Sequence, residues 1–369
     1  MTQNLPAQRA FAGVAHLADK FPESINTTAH WPTIDKRPIP FHALSPRLQG
    51  LGTQVVYLSP AGELFHLAGP LSGREGASLA TQLLGDQQWP FDVVLQESAY
   101  LMGATIERVN INKRMFNLGV VIGRHNPPMS EYQYRMAEDH WWQGQDENQD
   151  GWLGIFTRFS GWRWIPVRPD TTVKTSQKMD TTAYGNNVST WDITWVASRP
   201  YFTKPALYKT WTAKNVPLQN NPWNKKGPKV HVGTIHLANR GDLPSYVSFL
   251  VSSPGHAWVQ DNDSERMVEL PYTQKSDGAY LCDTEPGHRT LTASADPVDK
   301  LLYDSIRQSK ILDFFLHDLA NLGLPLQMRF RNRFMFKIPP KTAIALTVAH
   351  SDTAGSITAF VPQRFRRSR

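Results

Sequence analysis

The chain has 369 residues, of which 40% are hydrophobic and 12 are tryptophan, a composition that excludes a disordered protein. The net charge of +7 indicates nucleic-acid binding only weakly, and the single cysteine, Cys282, excludes an intrachain disulfide. Residues 1–20 lack a signal-peptide pattern, no apolar run reaches the ~18 residues of a membrane helix, and the length predicts about two domains in a soluble protein.

Residues 1–50 are rich in proline, which biases the preceding backbone towards extended forms and predicts an extended arm. Alternating apolar and polar residues then predict a series of strands, which ends at Pro127-Pro128. These strands are expected at 53–58, 63–67, 91–97, 104–112 and 114–122.

A helix over 130–142 is the clearest helical prediction. Ser130 is placed to cap this helix, and Gln133 completes a capping box three residues later. Tyr134 and Trp141 share one face, so the helix should pack on an apolar surface. Strands at 152–159, 162–167 and 188–197 follow, and residues 51–205 are predicted to form the first domain.

Residues 206–228 contain prolines, asparagines and lysines in a composition that predicts a semi-rigid linker. Residues 229–369 are predicted to form a second domain, a β-sandwich, because short strands recur between Gly, Pro, Asn and Asp turns. Helical segments near 297–306 and 311–322 interrupt this pattern. The strands are expected at 230–237, 246–252, 258–260, 267–270, 279–282, 334–338, 343–349 and 357–361.

Arginines form two clusters in the second half of the chain. Both are interpreted as solvated surface rather than a nucleic-acid site, and the last residues are expected to be a frayed basic tail. The clusters are Arg364, Arg366, Arg367 and Arg369, and Arg329, Arg331 and Arg333.

The segment 146–151 is the best local match to a chemical motif. Oxygen ligands at Asp146, Asn148 and Asp150, followed by glycine, open a calcium-binding loop. Thr157, however, stands where an EF-hand loop needs its bidentate glutamate. An Asx turn, in which these side chains bind their own backbone, is the preferred interpretation. No metal site is therefore predicted, and the calcium loop is kept as the alternative.

The sequence predicts no catalytic or cofactor-binding residues. Signatures of serine hydrolases, zinc proteases, P-loop proteins and dinucleotide-binding proteins are absent. Cys282 ends an apolar strand and is interpreted as a packing residue rather than the partner of His288. His231 and His236 fall on opposite faces of one strand, which does not suit a shared metal. The chain is therefore not expected to be an enzyme.

Two tryptophan pairs each share a strand face, Trp162 with Trp164 and Trp191 with Trp195. An exposed row of this kind could bind a sugar, whereas a half-buried row packs a sheet, and packing is the preferred interpretation. No residue is assigned to a glycan platform.

Three motifs, in this order, resemble the distal tail protein (Dit) family of long-tailed phages, in particular minor tail proteins of actinobacteriophages. Residues 191–200, WDITWVASRP, resemble the closing strand of the family's tail-tube-like first domain. Residues 239–244, NRGDLP, with the strand 246–251 resemble the start of its second domain. Residues 337–340, KIPP, with the strand 343–349 resemble the late turn before its closing strands.

The resemblance implies a mainly β fold with few short helices: an N-terminal tail-tube-like β-sandwich or split-barrel domain, then a galectin-like β-sandwich domain. It implies a structural virion component that forms a ring, usually a hexamer, joining the tail tube to the tail tip or baseplate. The implied partners are further copies of the chain, the tail tube, tape measure and tip proteins, and DNA passing through the ring lumen.

The same resemblance places the protein at the virion tail tip, after assembly in the host cytoplasm. Residues 1–50 depart from the compact family pattern, and we expect them to contact a neighbouring tail protein. The alternative function is a carbohydrate-binding module that attaches to a host-surface glycan.

Overall fold

The computed structural model describes residues 52–80, 83–97, 102–123, 128–171, 174–175, 180–182, 185–288, 290–294, 326–327, 330 and 332–369. The chain divides into two compact units, the first formed by residues 1–202 and 366–369 and the second by residues 203–365. The predicted arm and the predicted helices near 297–306 and 311–322 lie outside the described residues.

Within the described ranges, the first unit is an antiparallel sheet with one helix and a separate hairpin. Its elements are β1 (Gln54–Leu58), β2 (Leu64–Ala68), β3 (Ala77–Leu79), β4 (Phe91–Glu97), β5 (Ala104–Ile111), β6 (Arg114–Ile122), α1 (Glu131–Gln143), β7 (Gly151–Thr157), β8 (Gly161–Pro169), β9 (Lys174–Thr175) and β10 (Ser189–Ala197). The strand order is β2-β1-β7-β8-β10-β6-β3, with β9 also paired to β10. β4 and β5 make a two-stranded sheet of their own.

The helix α1 begins as the sequence predicts. The hydroxyl of Ser130 accepts the Gln133 N–H at 3.3 Å, and Oε1 of Gln133 accepts the Ser130 N–H at 3.0 Å. Gly76 lies beneath the helix with φ +89°, where a Cβ would stand only 2.5 Å from Cβ of Ala137. Glycine therefore permits both the backbone conformation and the close approach of α1.

Buried aromatic rings hold α1 against the sheet. Trp141 of α1 packs edge-on against Phe65 of β2, with ring centroids 5.1 Å apart. Tyr57 of β1 stacks on Trp195 of β10 at 4.6 Å, and its hydroxyl donates to the Gly144 carbonyl at 3.0 Å. Aromatic side chains bury about 150–250 Å² each, so this cluster forms a large part of the unit's core.

Residues 366–369 belong to the first unit, where two buried arginines hold their backbone. Arg114 is 1% exposed and donates through Nη2 to the Arg366 carbonyl. Arg163, also buried, donates through Nη1 to the Arg367 carbonyl at 2.7 Å. These bonds give carbonyl partners to guanidinium groups that would be costly to bury without any.

The prediction of a frayed tail in the second domain is therefore corrected. Ser368 is fully buried, and its hydroxyl donates to the Asp86 carboxylate at 2.8 Å. Arg364, in the second unit, is also buried and donates through Nη1 to Glu285 at 2.8 Å. The side chains of residues 366, 367 and 369 are exposed, as the sequence suggested.

The second unit is a sandwich of two sheets. Its strands are β11 (Phe202–Thr212), β12 (Leu218–Gln219), β13 (Val230–Asn239), β14 (Ser248–Val251), β15 (Ala257–Gln260), β16 (Met267–Glu269), β17 (Tyr280–Asp283), β18 (Leu291–Ala293), β19 (Thr342–His350) and β20 (Ser356–Phe365). One sheet has the order β18-β17-β14-β20-β11 and the other β12-β13-β19-β15-β16, and a single buried cluster contains side chains from both. The mainly β fold is confirmed.

Residues 206–228, predicted to be a linker, instead contain the end of β11 and all of β12. β11 pairs with β20 in the first sheet of the sandwich, and its Trp211 packs against the sandwich core. Gly233 of β13 leaves room for this ring, because a Cβ there would lie 1.9 Å from Nε1 of Trp211. The prolines that suggested a linker therefore occur in and around a packed strand.

Asn239 connects two of the motifs on which the family resemblance rests. It is fully buried at the end of β13, and its side-chain amide donates to the carbonyls of Leu243 at 2.9 Å and Pro339 at 3.1 Å. Its Oδ1 accepts the Gly241 N–H at 3.0 Å. The NRGDLP and KIPP turns are thus parts of one hydrogen-bonded corner.

His350, at the end of β19, is buried as a neutral imidazole. Its Nδ1 accepts the Asp352 N–H at 3.0 Å, and its Nε2 lies 3.2 Å from the Ser252 carbonyl, to which the neutral ring donates. Burial lowers the pKa of His350, because the charged form would lose its hydration.

We expect deletion of residues 366–369 to lower the free energy of unfolding of the first unit by about 2–4 kcal/mol, since two buried guanidinium groups lose carbonyl partners. Urea unfolding with hydrogen exchange at β6 and β8 measures the loss. Arg367→Ala is the control: it removes only an exposed side chain, keeps the carbonyl, and should retain wild-type stability. A truncated chain with the wild-type midpoint would contradict the role of this segment.

The second unit should lose stability in mild acid. The stabilising effect of neutral His350 is complete above the unfolded pKa of about 6.5 and declines as the pH falls towards the lower folded pKa, by up to ~1.4 kcal/mol per pH unit. Urea midpoints of wild type and His350→Gln should therefore converge between about pH 6.5 and 5. His236→Gln, at an exposed site on β13, is the control. Parallel profiles for wild type and His350→Gln would contradict this prediction.

Candidate self-association surface

The hairpin of β4 and β5 has one apolar face. Successive strand residues point to opposite sides, so pairs in register across the hairpin fall alternately on its two faces. On one face Phe91 is opposite Ile111, and Val93 is opposite Val109. On the other, Asp92 faces Asn110, and Gln96 faces Thr105. We call the first the apolar hairpin face; it consists of Phe91, Val93, Leu95, Ile106, Val109 and Ile111.

A β-bulge keeps this face continuous to the outer end of the hairpin. Val94 is opposite Arg108 while Leu95 is opposite Ile106, so Glu107 is an extra residue in β5. Strict alternation from Val109 would place Ile106 on the polar side, because a shift of one residue reverses the direction of a side chain. The bulge returns Ile106 to the apolar face.

The apolar hairpin face is exposed to solvent. Its six side chains are between 39% and 63% exposed. They present on the order of 500 Å² of apolar surface, in the upper part of the 300–600 Å² that is typical of the largest patch on a soluble monomer. No other described strand pairs with β4 or β5, so the hairpin also has two unpaired backbone edges.

The base of the hairpin is closed by hydrogen bonds and leads directly into a buried strand. The Asn112 N–H donates to the Pro90 carbonyl at 3.1 Å, and the Asn112 side chain donates to Asp92 at 2.5 Å. Arg114 then begins the buried strand β6, with its Nη1 donating to the Asp86 carbonyl at 3.2 Å. The exposed apolar surface therefore projects from a well-packed base.

The residues of the candidate calcium loop are bonded within the protein. Oδ1 of Asp146 accepts the Asn148 N–H at 2.7 Å, which is an Asx turn, and Oδ1 of Asp150 accepts from Nε of Arg168 at 2.6 Å. Burial raises the pKa of Tyr57, and the negative charges of Asp146 and Asp150 raise it further. No group of three His, Cys, Asp or Glu in the described ranges is arranged to hold a metal ion.

Cys282 and His288 do not form a reactive pair. Burial, followed by the charge of Asp283, raises the pKa of the Cys282 thiol well above its ordinary value, so it remains protonated. His288 instead has Nδ1 2.8 Å from Oδ2 of Asp283. The interpretation of Cys282 as a packing residue is confirmed by its complete burial in the sandwich core.

The tryptophan pairs pack within the first unit. Trp162 and Trp164 are both buried, with stacked rings 5.5 Å apart. Trp195 is buried beside Tyr57, and Trp191 is partly buried and meets Trp142 edge-on at 5.0 Å. Both tryptophan pairs therefore pack the sheet and do not form an exposed sugar platform.

Comparison with known proteins identifies the fold. No protein-family model matches the sequence, and no curated protein sequence matches it. The crystal structure of the Dit protein of phage SPP1 is similar, with a TM-score of 0.50 and 10% identity over 85% of this chain and 99% of that chain. Two activated phage P2 baseplate structures, with Ca and with Sr, have TM-scores of 0.46 at 9% and 8% identity, with the same coverage.

The fold is therefore that of a phage tail protein with two β-rich units. More specifically, the predicted resemblance to distal tail proteins is confirmed for the fold. In the described part of the chain, no helix is long and apolar enough to cross a membrane.

Proposed function

We propose that this chain is a structural subunit of a phage tail, which self-associates into a ring at the distal end and acts by assembly rather than catalysis. The apolar hairpin face carries this proposal, because the described part of the first unit leaves it exposed on a fold shared with SPP1 Dit. SPP1 Dit is described as a paradigm of the hub adsorption apparatus in phages that infect Gram-positive bacteria.

The size of the apolar hairpin face suits one side of a subunit contact. Burial of roughly 500 Å² at ~25 cal/mol per Å² contributes on the order of 10 kcal/mol before any cost of association. Association costs about 4–15 kcal/mol, and a standard interface buries about 800 Å² per partner. The hairpin face would thus form the centre of an interface that polar contacts and the hairpin edges complete.

A ring requires two different patches on each subunit, because a heterologous interface closes a cycle. The helix α1 supplies a candidate for the second patch, since Tyr132 and Met136 lie one turn apart and are 75% and 55% exposed. The start of α1 packs at the end of β6, where a Cβ on Gly123 would meet the Tyr134 ring at 2.6 Å. The hairpin adjoins the other end of β6, roughly 27 Å away at 3.3–3.4 Å per residue.

In this proposal the first unit forms the ring and the galectin-like second unit decorates it. The ring, a hexamer by analogy with the family, joins the tail tube to the tail tip or baseplate. It contacts the tail tube, tape measure and tip proteins, and DNA passes through its lumen. Assembly takes place in the host cytoplasm, and residues 1–50 contact a neighbouring tail protein. The fold shared with SPP1 Dit supports the structural role in a tail, and the finer assignments follow from the family resemblance of the sequence.

Native mass spectrometry and negative-stain imaging of the purified chain should show a ring with a central channel. The double variant Val93→Lys/Val109→Lys places two charges on the apolar hairpin face and should abolish the ring, since burial would leave them unpaired. The matched control Gln96→Lys/Thr105→Lys adds the same charges to a facing pair on the polar side and should still assemble. Monomers at high concentration, or equal assembly of both variants, would contradict the proposal.

A further inference from the structure

Aromatic and acidic side chains lie together on the outer face of the sandwich, where β15 and β16 end the second sheet. Ala257 and Val259 of β15 belong to the sandwich core. Because successive strand residues point to opposite faces, His256 and Trp258 point away from that core. Trp258 accordingly packs in a separate buried cluster. Glu269 of β16 is directly opposite Trp258 and shares its outer face.

Tyr272 joins this group just beyond β16. Gly255 and Thr273 exchange two backbone hydrogen bonds, of 2.9 and 3.0 Å, which place Tyr272 beside His256. The imidazole contacts two rings: it stacks on Trp258 with centroids 5.6 Å apart, and its centroid lies 4.9 Å from that of Tyr272. We call these three rings the aromatic row. Trp258 at one end is buried, and Tyr272 at the other end is 50% exposed.

Hydrogen-bonding groups border the exposed end of the aromatic row. The Glu269 side chain is 39% exposed, and its Oε1 lies 3.6 Å from Nδ1 of His256, which makes no hydrogen bond within the described residues. Glu269 forms no ion pair with a lysine or arginine in that part of the chain. Its carboxylate can accept hydrogen bonds, and the Tyr272 hydroxyl can donate and accept them. The surface thus combines an exposed apolar ring with polar atoms at its rim.

We propose that the aromatic row binds a neutral saccharide. The apolar C–H face of a pyranose ring packs on Tyr272, and hydroxyl groups of the same sugar donate to the Glu269 carboxylate. Small-ligand sites combine apolar contact area with a few well-placed polar groups, and a sugar has both kinds of surface. Hydrogen bonds to an ionised acceptor are about twice as strong as those between neutral groups, so Glu269 fixes the orientation of the sugar.

The charge and shape of this surface disfavour two other classes of ligand. An anionic sugar would bring a carboxylate or phosphate close to Glu269, where like charges repel. A quaternary ammonium ion binds over ring faces, best within a cage of several rings. These rings instead lie in a row and present mainly Tyr272 to solvent. A neutral sugar suits both the single exposed ring and the carboxylate.

The saccharide site is independent of the proposed ring of subunits. Its residues belong to the second unit, whereas the apolar hairpin face belongs to the first. It also differs from the tryptophan pairs considered from the sequence, because those side chains pack within the first unit. His256 and Tyr272 come together only through the pairing of two chain segments, so a search for aromatic residues along one strand does not find them.

Saturation-transfer NMR titration of the full chain with lactose, maltose and N,N′-diacetylchitobiose tests the proposal. We expect at least one of these neutral disaccharides to bind with a Kd of about 5 mM or tighter. For that sugar, Tyr272→Ala should weaken binding by at least ~10-fold, and Glu269→Gln by at least ~3-fold. The matched control Tyr208→Ala removes a tyrosine that is 59% exposed on the other sheet of the sandwich, and should bind as the wild type does.

Three results would overturn the proposal: no binding of any of the three sugars up to about 50 mM, unchanged binding by Tyr272→Ala or Glu269→Gln, or equal losses in Tyr272→Ala and Tyr208→Ala. Binding of choline that is tighter than that of every sugar, and is lost in Glu269→Gln, would make this a cation site and also overturn it. Native mass spectra of the same variants show separately whether self-association is intact.

Discussion

The main physical constraint on this protein is an amphipathic hairpin. The described part of its own unit leaves the apolar face of the hairpin exposed to solvent. Two strands alone are only marginally stable in water, and exposed β edges invite pairing with other chains. Here six apolar side chains share one side, and the bulge at Glu107 places one of them, Ile106, on that side. Association between copies would remove the apolar surface from water and pair the edges, which is why we assign the hairpin to self-association.

Hydrogen bonds of buried polar side chains stabilise each of the two units. Arg114 and Arg163 reach backbone carbonyls of residues 366 and 367, which come after the whole second unit in the sequence. The first unit is therefore built from residues at both ends of the described chain. In the second unit, Asn239 joins two turns nearly 100 residues apart. Each contact satisfies a buried donor, so loss of either segment would leave a polar group unpaired.

The sequence correctly predicted those helices and strands that are determined by neighbouring residues. The capping box at Ser130 and the alternation in β10 and β13 identified α1 and these strands, because caps and strand faces are set by neighbouring residues. The position of Ile106 was not predictable, since a bulge depends on both strands. β11 was missed because Pro205 and the prolines that follow it suggested a linker, although Pro205 lies within this strand.

The central claim is that the apolar hairpin face is covered by a second copy of the chain. Hydrogen exchange of residues 91–97 and 104–111, compared in dilute monomer and in concentrated assembled protein, tests it directly. We predict that exchange of these amides slows on assembly, while exchange in β13 and β19 of the second unit is unchanged. Equal exchange of the hairpin in both states, or protection confined to other segments, would contradict the claim.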